Sequence, residues 1–285
     1  MKILELAEVS ASQLQEIKKL ESEVLKYDGT FRQAYLSTQY NFDRTMPAYF
    51  LAYQDDRLIG SLFLYADDPS DTTVYLFVKP EFRSQKVATD LISHAQKIIQ
   101  EFSITDFSFS TEQHFLDENP WMMDKVVKGP DYELLMSRDN KPATAEDENL
   151  QIEVLNADNL DQVVELEHRN FPEHSKEINR RYLEANISDP SIVTFVLKLE
   201  DSIVGSTSID IASDNNYFFS LSVDGNFRGR GFAPKMISMS INQIATMNSK
   251  PFQLSVDHDN LAAIKAYQKS GFEEVSKVVY LKLKD

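Results

Sequence analysis

At 285 residues, 42% apolar and 26% charged, the chain has ordinary globular composition, which excludes a mainly disordered or fibrous protein and suits two domains of roughly 140 residues each. The absence of cysteine excludes disulfides, thiolate metal sites and a cysteine nucleophile, and the scattered histidines lack metal-ligand spacing, so no metal is expected. A formal net charge of -16 argues against nucleic acid or anionic membrane as a partner, since phosphates are bound by clustered Lys and Arg.

The amino terminus gains acids before any long apolar run develops, and no later stretch approaches the length of a membrane span. A soluble cytoplasmic protein is the expectation. An alternating apolar strand, Phe50-Leu51-Ala52-Tyr53, meets a polar turn and a second strand, which reads as a β-hairpin. A third strand, Val74 to Val78, leads through Arg83-Ser84-Gln85-Lys86-Val87-Ala88 into an amphipathic helix with Leu91, Ile92, Ala95, Ile98, Ile99 and Phe102 on its apolar face. Around Phe115 to Met122, Pro120 interrupts the helical pattern.

The same order of elements returns 145 residues later. Phe50 matches Phe195, Asp56 matches Asp201, Gly60-Ser61 matches Gly205-Ser206, Val78 matches Val223, Phe82-Arg83 matches Phe227-Arg228, and Ala88 matches Ala233. Between the copies, Ser137 to Asn149 is polar and lacks an apolar period, which reads as an exposed linker with the boundary near Ala145. Two mixed α/β domains follow, 1–142 and 150–285. The second copy opens with a strand from Gln151 to Leu155, a helix from about Asn159 to Asn170 and another from about Lys176 to Asn186.

Strand Phe218 to Val223 of the second copy runs into Arg228-Gly229-Arg230-Gly231-Phe232-Ala233, with a helix starting near Pro234. Two glycines permit unusual dihedrals and close approach, and the unpaired amides at a helix start suit a pyrophosphate. A Rossmann dinucleotide loop fails on detail, because Pro234 stands where the third glycine belongs and the loop follows the fourth strand of its domain. Downstream, Asn260 to Phe272 reads as a helix capped by Asp259 or Asn260 and closed by Gly271. Tyr267 on that helix is, by spacing alone, more often a core aromatic than a catalyst.

Taken together, the two motifs resemble the GNAT superfamily of N-acyltransferases. R/Q-x-x-G-x-G/A is met by Arg228, Gly231 and Ala233, and N-x-x-A-x-x-x-Y-x-x-x-G-F by Asn260, Ala263, Tyr267, Gly271 and Phe272. The resemblance covers about Ile152 to Lys284. It implies two tandem GNAT-like domains, each a mixed, mostly antiparallel sheet flanked by helices, an arrangement similar to the mycothiol synthase family. It further implies acetyl-CoA as acyl donor, with Leu221, Ser222 and Val223 along the pantetheine arm, Gly229 to Ala233 on the pyrophosphate, and Asn260 and Tyr267 beside the thioester. Direct transfer to a small-molecule amine follows, with Tyr267 as general acid.

A glutamate that some relatives carry before the loop is replaced in this sequence by Tyr217, so the general base stays open among Asp210, Glu173, His174 and Asp257. In the first copy Lys86 replaces the loop glycine, which is expected to disfavour a left-handed dihedral, and the second motif is missing. The first copy therefore reads as a diverged, non-catalytic domain that either shapes the substrate cleft or only supports the second. Two other readings stay beside the small-molecule enzyme: transfer to a protein or peptide amine, and a non-catalytic acyl-CoA-binding regulator.

Overall fold

The structure is a computed structural model that describes residues 1–144, 149–172 and 175–284. The chain divides into two compact units, Met1–Tyr132 with Ser276–Asp285, and Glu133–Val275.

The first unit contains β1 (Lys2–Leu6), α1 (Ala11–Asp28), β2 (Tyr49–Gln54), β3 (Arg57–Asp68), β4 (Asp71–Val78), α2 (Val87–Glu101), β5 (Phe107–Glu112) and α3 (Gln113–Glu118). α1 begins at a capping box on Ser10 and ends at Gly29, which takes the left-handed conformation that favours glycine. The sheet order is β1-β2-β3-β4-β5. These pairings are antiparallel except β4 with β5, and that parallel pairing covers only Thr72–Val74 against Phe107–Phe109. Buried Phe50, Leu51, Leu62, Leu64, Ile17 and Leu91 form the centre of its core.

From β6 (Val126–Arg138) the chain enters the second unit, which adds β7 (Leu150–Val154), α4 (Leu160–Asn170), α5 (Lys176–Ser188), β8 (Ile192–Leu199), β9 (Ser202–Asp210), β10 (Asn216–Val223), α6 (Phe232–Ala245), β11 (Phe252–Asp257) and α7 (Leu261–Lys269). Its strands lie in the order β6-β11-β10-β9-β8-β7. The parallel pairing recurs between β10 and β11, limited to Asn216–Phe218 against Phe252–Leu254. The last strand, β12 (Glu273–Leu283), pairs antiparallel with β5 of the first unit through Val278–Leu281.

The repeat register extends to local detail. The hairpin of each half has an irregularity at the same register, Ala52/Tyr53 and Leu197/Lys198. A Cβ on Gly60 would stand 2.8 Å from Val87 and 3.2 Å from Leu91; one on Gly205 would stand 2.9 Å from the Ser222 carbonyl and 3.2 Å from Met236. Both glycines let the post-loop helix pack directly on the sheet.

The boundary departs from a cut near Ala145. Residues 133–138 of β6 pair with β11, and β12 pairs with β5, so part of the final strand of each half belongs to the other half's unit. The segment expected as an exposed linker is partly tethered as well. Asn140 Nδ2 donates to the carbonyls of Asn248 and Lys250, and Ala143 N donates to Asn242 Oδ1. Residues 145–148, on which the expected boundary falls, lie outside the described residues. Among the described residues no helix is long and apolar enough to cross a membrane.

Candidate active site

In the second unit β10 and β11 part company beyond Phe218 and Leu254. The backbone of Phe219 to Val223 is thus left without a partner in β11. β10 shifts register against β9 between Phe219 and Ser222, where Ser220 takes φ 49°. Such a bulge re-aims the strand and leaves backbone groups turned out of the ladder. Leu221, Ser222 and Val223 lie on this stretch.

The loop after β10 is braced from α4. Asp224 is 6% exposed; its carboxylate accepts from Asn226 N at 2.9 Å and pairs with Arg169 at 2.7 Å. The Asn226 amide, with help from Arg169, holds the Asp224 carboxyl below the usual range. Arg228 Nε donates to the Val223 carbonyl at 3.0 Å and its Nη2 to Asn170 Oδ1 at 2.7 Å. Arg228 therefore holds the loop to strand and helix. Arg230 lies 5.2 Å over the Phe227 ring.

Gly229 and Gly231 take φ 76° and 80°, the left-handed region. A Cβ on either would meet nothing within 4 Å. Gly231 caps α6 with no side-chain hydrogen bond, so the first amides of that helix, at Phe232 and Ala233, receive no side-chain cap. Left-handed turns, open space and uncapped amides together make a cradle for an anion, and the cradle is one that side chains at these positions would fill.

Asn260 caps α7 through a hydrogen bond from Ala263 N, at 3.1 Å. Tyr267 is 8% exposed, in the core cluster that also holds Phe218, Leu254, Val256 and Phe272, with Leu221 and Ala233 packed against it. Residues of the parted strands, the helix after the loop and the second motif thus share one core cluster. The Tyr267 ring meets Phe272 edge-on at 6.0 Å, and its hydroxyl makes no hydrogen bond within the described residues. Burial, with a contribution from Tyr217, pushes its pKa up to about 12.

Of the residues considered for a base, Glu173 and His174 fall outside the described residues. Asp210 is 5% exposed and accepts from Ala212 N at 2.7 Å, a local cap at the end of β9. Asp257 is exposed at the end of β11. Sequence reasoning missed Glu167. It is 6% exposed, its Oε1 accepts from the Ser206 hydroxyl and, at 3.4 Å, from Ser222, and burial pushes its pKa up to about 7. The available signal was position: Leu160, Val163, Val164 and Glu167 share the i, i+3, i+4, i+7 face that packs inward.

The first unit repeats the loop without its glycines. Ser84 and Lys86 occupy the places of Gly229 and Gly231 and take φ 63° and 64°. Lys86 was expected to resist that dihedral, yet it caps α2 in the left-handed conformation, at a steric cost of roughly 1–2 kcal/mol per residue. The loop's path is retained while the space over it receives side chains.

Comparison with known proteins gives this arrangement its class. The model of the GNAT acetyltransferase family matches residues 13–115 and 160–272. The chain belongs to the GNAT acetyltransferase family, with one match in each half. It resembles a GCN5-related N-acetyltransferase from Sphaerobacter thermophilus with a TM-score of 0.73 at 17% identity, covering 99% of this chain and 95% of that one. A tandem GNAT protein from the clavulanic acid biosynthesis pathway gives 0.70 at 14% identity over 99% and 98%. The ribosomal protein bS18-alanine N-acetyltransferase of Haemophilus ducreyi is 29% identical over 77 residues, 27% of this chain and 53% of the relative. The chain thus spans about half the length of the curated relative it matches. The family so matched is one of acetyltransferases, which use acetyl-CoA as their acetyl donor.

Proposed function

We propose that the chain transfers an acetyl group from acetyl-CoA to a primary amine of a small molecule, with the site in the second half. The observation that carries this reading is the cradle at Gly229 and Gly231, open above both glycines and set at the start of α6. Acetyl-CoA supplies an acyl carbon joined to a thiol leaving group. The backbone of Leu221, Ser222 and Val223 binds the pantetheine arm along the strand edge left free by β11. The amides from Gly229 to Ala233 hold the pyrophosphate, while Arg228 keeps their loop against Val223 and Asn170. Asn260 fixes the start of α7 so that Tyr267 keeps its place. A hydroxyl whose pKa is pushed up to about 12 stays protonated at neutral pH. It gives that proton to the departing sulfur as the amine nitrogen bonds to the acyl carbon and the carbon–sulfur bond breaks, while the proton shed by the nitrogen passes to water, from which the tyrosine is restored.

The test is calorimetric titration of acetyl-CoA into the wild type and into Gly231→Lys. Lys86 already holds the equivalent left-handed position in the first unit, so a lost affinity reads the added side chain rather than a broken backbone. One site per chain, abolished by the substitution, is expected. Binding that survives unchanged would move the site elsewhere.

A protein or peptide amine is the second reading, favoured by the relative named for the alanine of a ribosomal protein. Turnover with peptides bearing an amino-terminal alanine, and none across a small-amine screen, would decide for it.

A further inference from the structure

The amino-terminal unit contains a cavity of about 530 Å³ where β4 and β5 part. Tyr75, Phe77, Phe109, Phe115, Trp121 and Met122 supply much of its wall, and every lining residue belongs to the first unit. That volume falls in the range of small-molecule sites, which are mostly apolar with a few fixed polar groups.

One such group is present. Glu112 lines the cavity and is 2% exposed. Its Oε1 accepts the backbone N–H of Phe31 at 2.6 Å and of Arg32 at 2.8 Å, while its Oε2 is buried with no hydrogen-bond partner. An unmet acceptor on a buried carboxyl is costly, and Glu112 is the cavity-lining residue that carries one.

A phosphate-bearing ligand suits this cavity poorly. At the equivalent loop of the first unit Ser84 and Lys86 replace the two glycines and line the cavity, and Arg32, also in its wall, donates from Nη1 to the Tyr280 hydroxyl at 3.2 Å. Arg83 commits both terminal nitrogens to Asp28, each at 2.7 Å. Lys125 rests 5.7 Å over the Trp121 ring. The chain's net charge of -16 also raises the local concentration of cations.

We infer that the first unit binds a small molecule with an apolar, aromatic-sized body and a protonated amine, the body between the parted strands and the amine on Glu112. This goes beyond acetyl transfer and does not depend on it. The first half then serves as a ligand-binding unit rather than a relic.

Trp121 is the chain's single tryptophan and lines the cavity, so its fluorescence reports occupancy of this unit directly. The full chain is titrated with phenethylamine, phenylacetate and coenzyme A. Phenethylamine is expected to give a saturable change, with phenylacetate weaker by about tenfold or more. Glu112→Gln is expected to weaken the amine by a similar factor. Ala88→Phe, which adds bulk to the cavity wall from α2, is expected to abolish the response to every probe. Equal affinity for amine and carboxylate, or unchanged affinity in Glu112→Gln, overturns the assignment of the amine to Glu112. No saturable response from any probe, or displacement of phenethylamine by coenzyme A, overturns the site. Acetyl-CoA binding lost in Gly231→Lys reads the second half separately, so the two readings fail independently.

Discussion

Arg83 and Arg228, 145 positions apart, hold the same pose. Each donates from Nε to the carbonyl of the residue five before it, Val78 at 3.3 Å and Val223 at 3.0 Å. Each also reaches the last residue of a helix, Asp28 in α1 and Asn170 in α4, at 2.7 Å. The shared role is structural: the arginine ties strand end, loop and helix end together in both halves.

Replacing Arg228 with Met is therefore expected to cost about 1–3 kcal/mol through lost charge-assisted hydrogen bonds, and to weaken acetyl-CoA binding by loosening the loop. Arg228→Lys should rescue little of either, because an ammonium lacks the planar fork that serves Val223 and Asn170 together. Thermal unfolding and calorimetry on the two variants check this. A Lys variant that binds like wild type would give the residue the role of a simple phosphate charge.

Gly205→Ala places a methyl 2.9 Å from the Ser222 carbonyl, and backbone cannot yield as a side chain does. Destabilisation of about 1–3 kcal/mol is expected, measured by urea unfolding. Gly60→Ala meets only the side-chain tip of Val87 below 3 Å, so its loss should be the smaller of the two.

Tyr267→Phe is expected to lower kcat by about 10²-fold or more, the usual scale for a proton donor. Because the hydroxyl makes no hydrogen bond within the described residues, acetyl-CoA affinity and Tm should stay close to wild type. Unchanged turnover across the pH range would remove Tyr267 from the chemistry.

Glu167 makes stability depend on pH. Its carboxyl is raised from an ordinary 4.5 to about 7 by burial. Between those values the folded chain keeps a proton that the unfolded chain has released, so this group's contribution falls as pH rises through that window and is constant above it. Glu167→Gln retains an acceptor for Ser206 without the titration. Its Tm relative to wild type should rise between about pH 5 and about pH 7.5; a constant difference would show that Glu167 is charged when folded.

Much of this was legible in the sequence because the signals were local. The glycines of the loop and the capped helix of Tyr267 depend on short spacings, and the repeat on one constant offset of 145 residues. The pairing of β6 with β11 and of β12 with β5 was not legible, since an alternating strand satisfies the same pattern whichever sheet receives it. Nor was the conformation of Lys86, where the surrounding strand and helix impose a dihedral that the residue itself disfavours. Glu167 was visible as a charge on an apolar face, yet its serine partners come from two strands distant in sequence.

The placement of β12 sets a timetable for synthesis. The first unit stays short of a strand until Ser276 and its neighbours emerge, well over a hundred residues after Tyr132. Until then β5 presents an open edge, a template for mispairing. A ribosome stalled anywhere before that point would release a chain with one sheet unfinished, and a host rich in holdase chaperones is the natural choice for producing the protein.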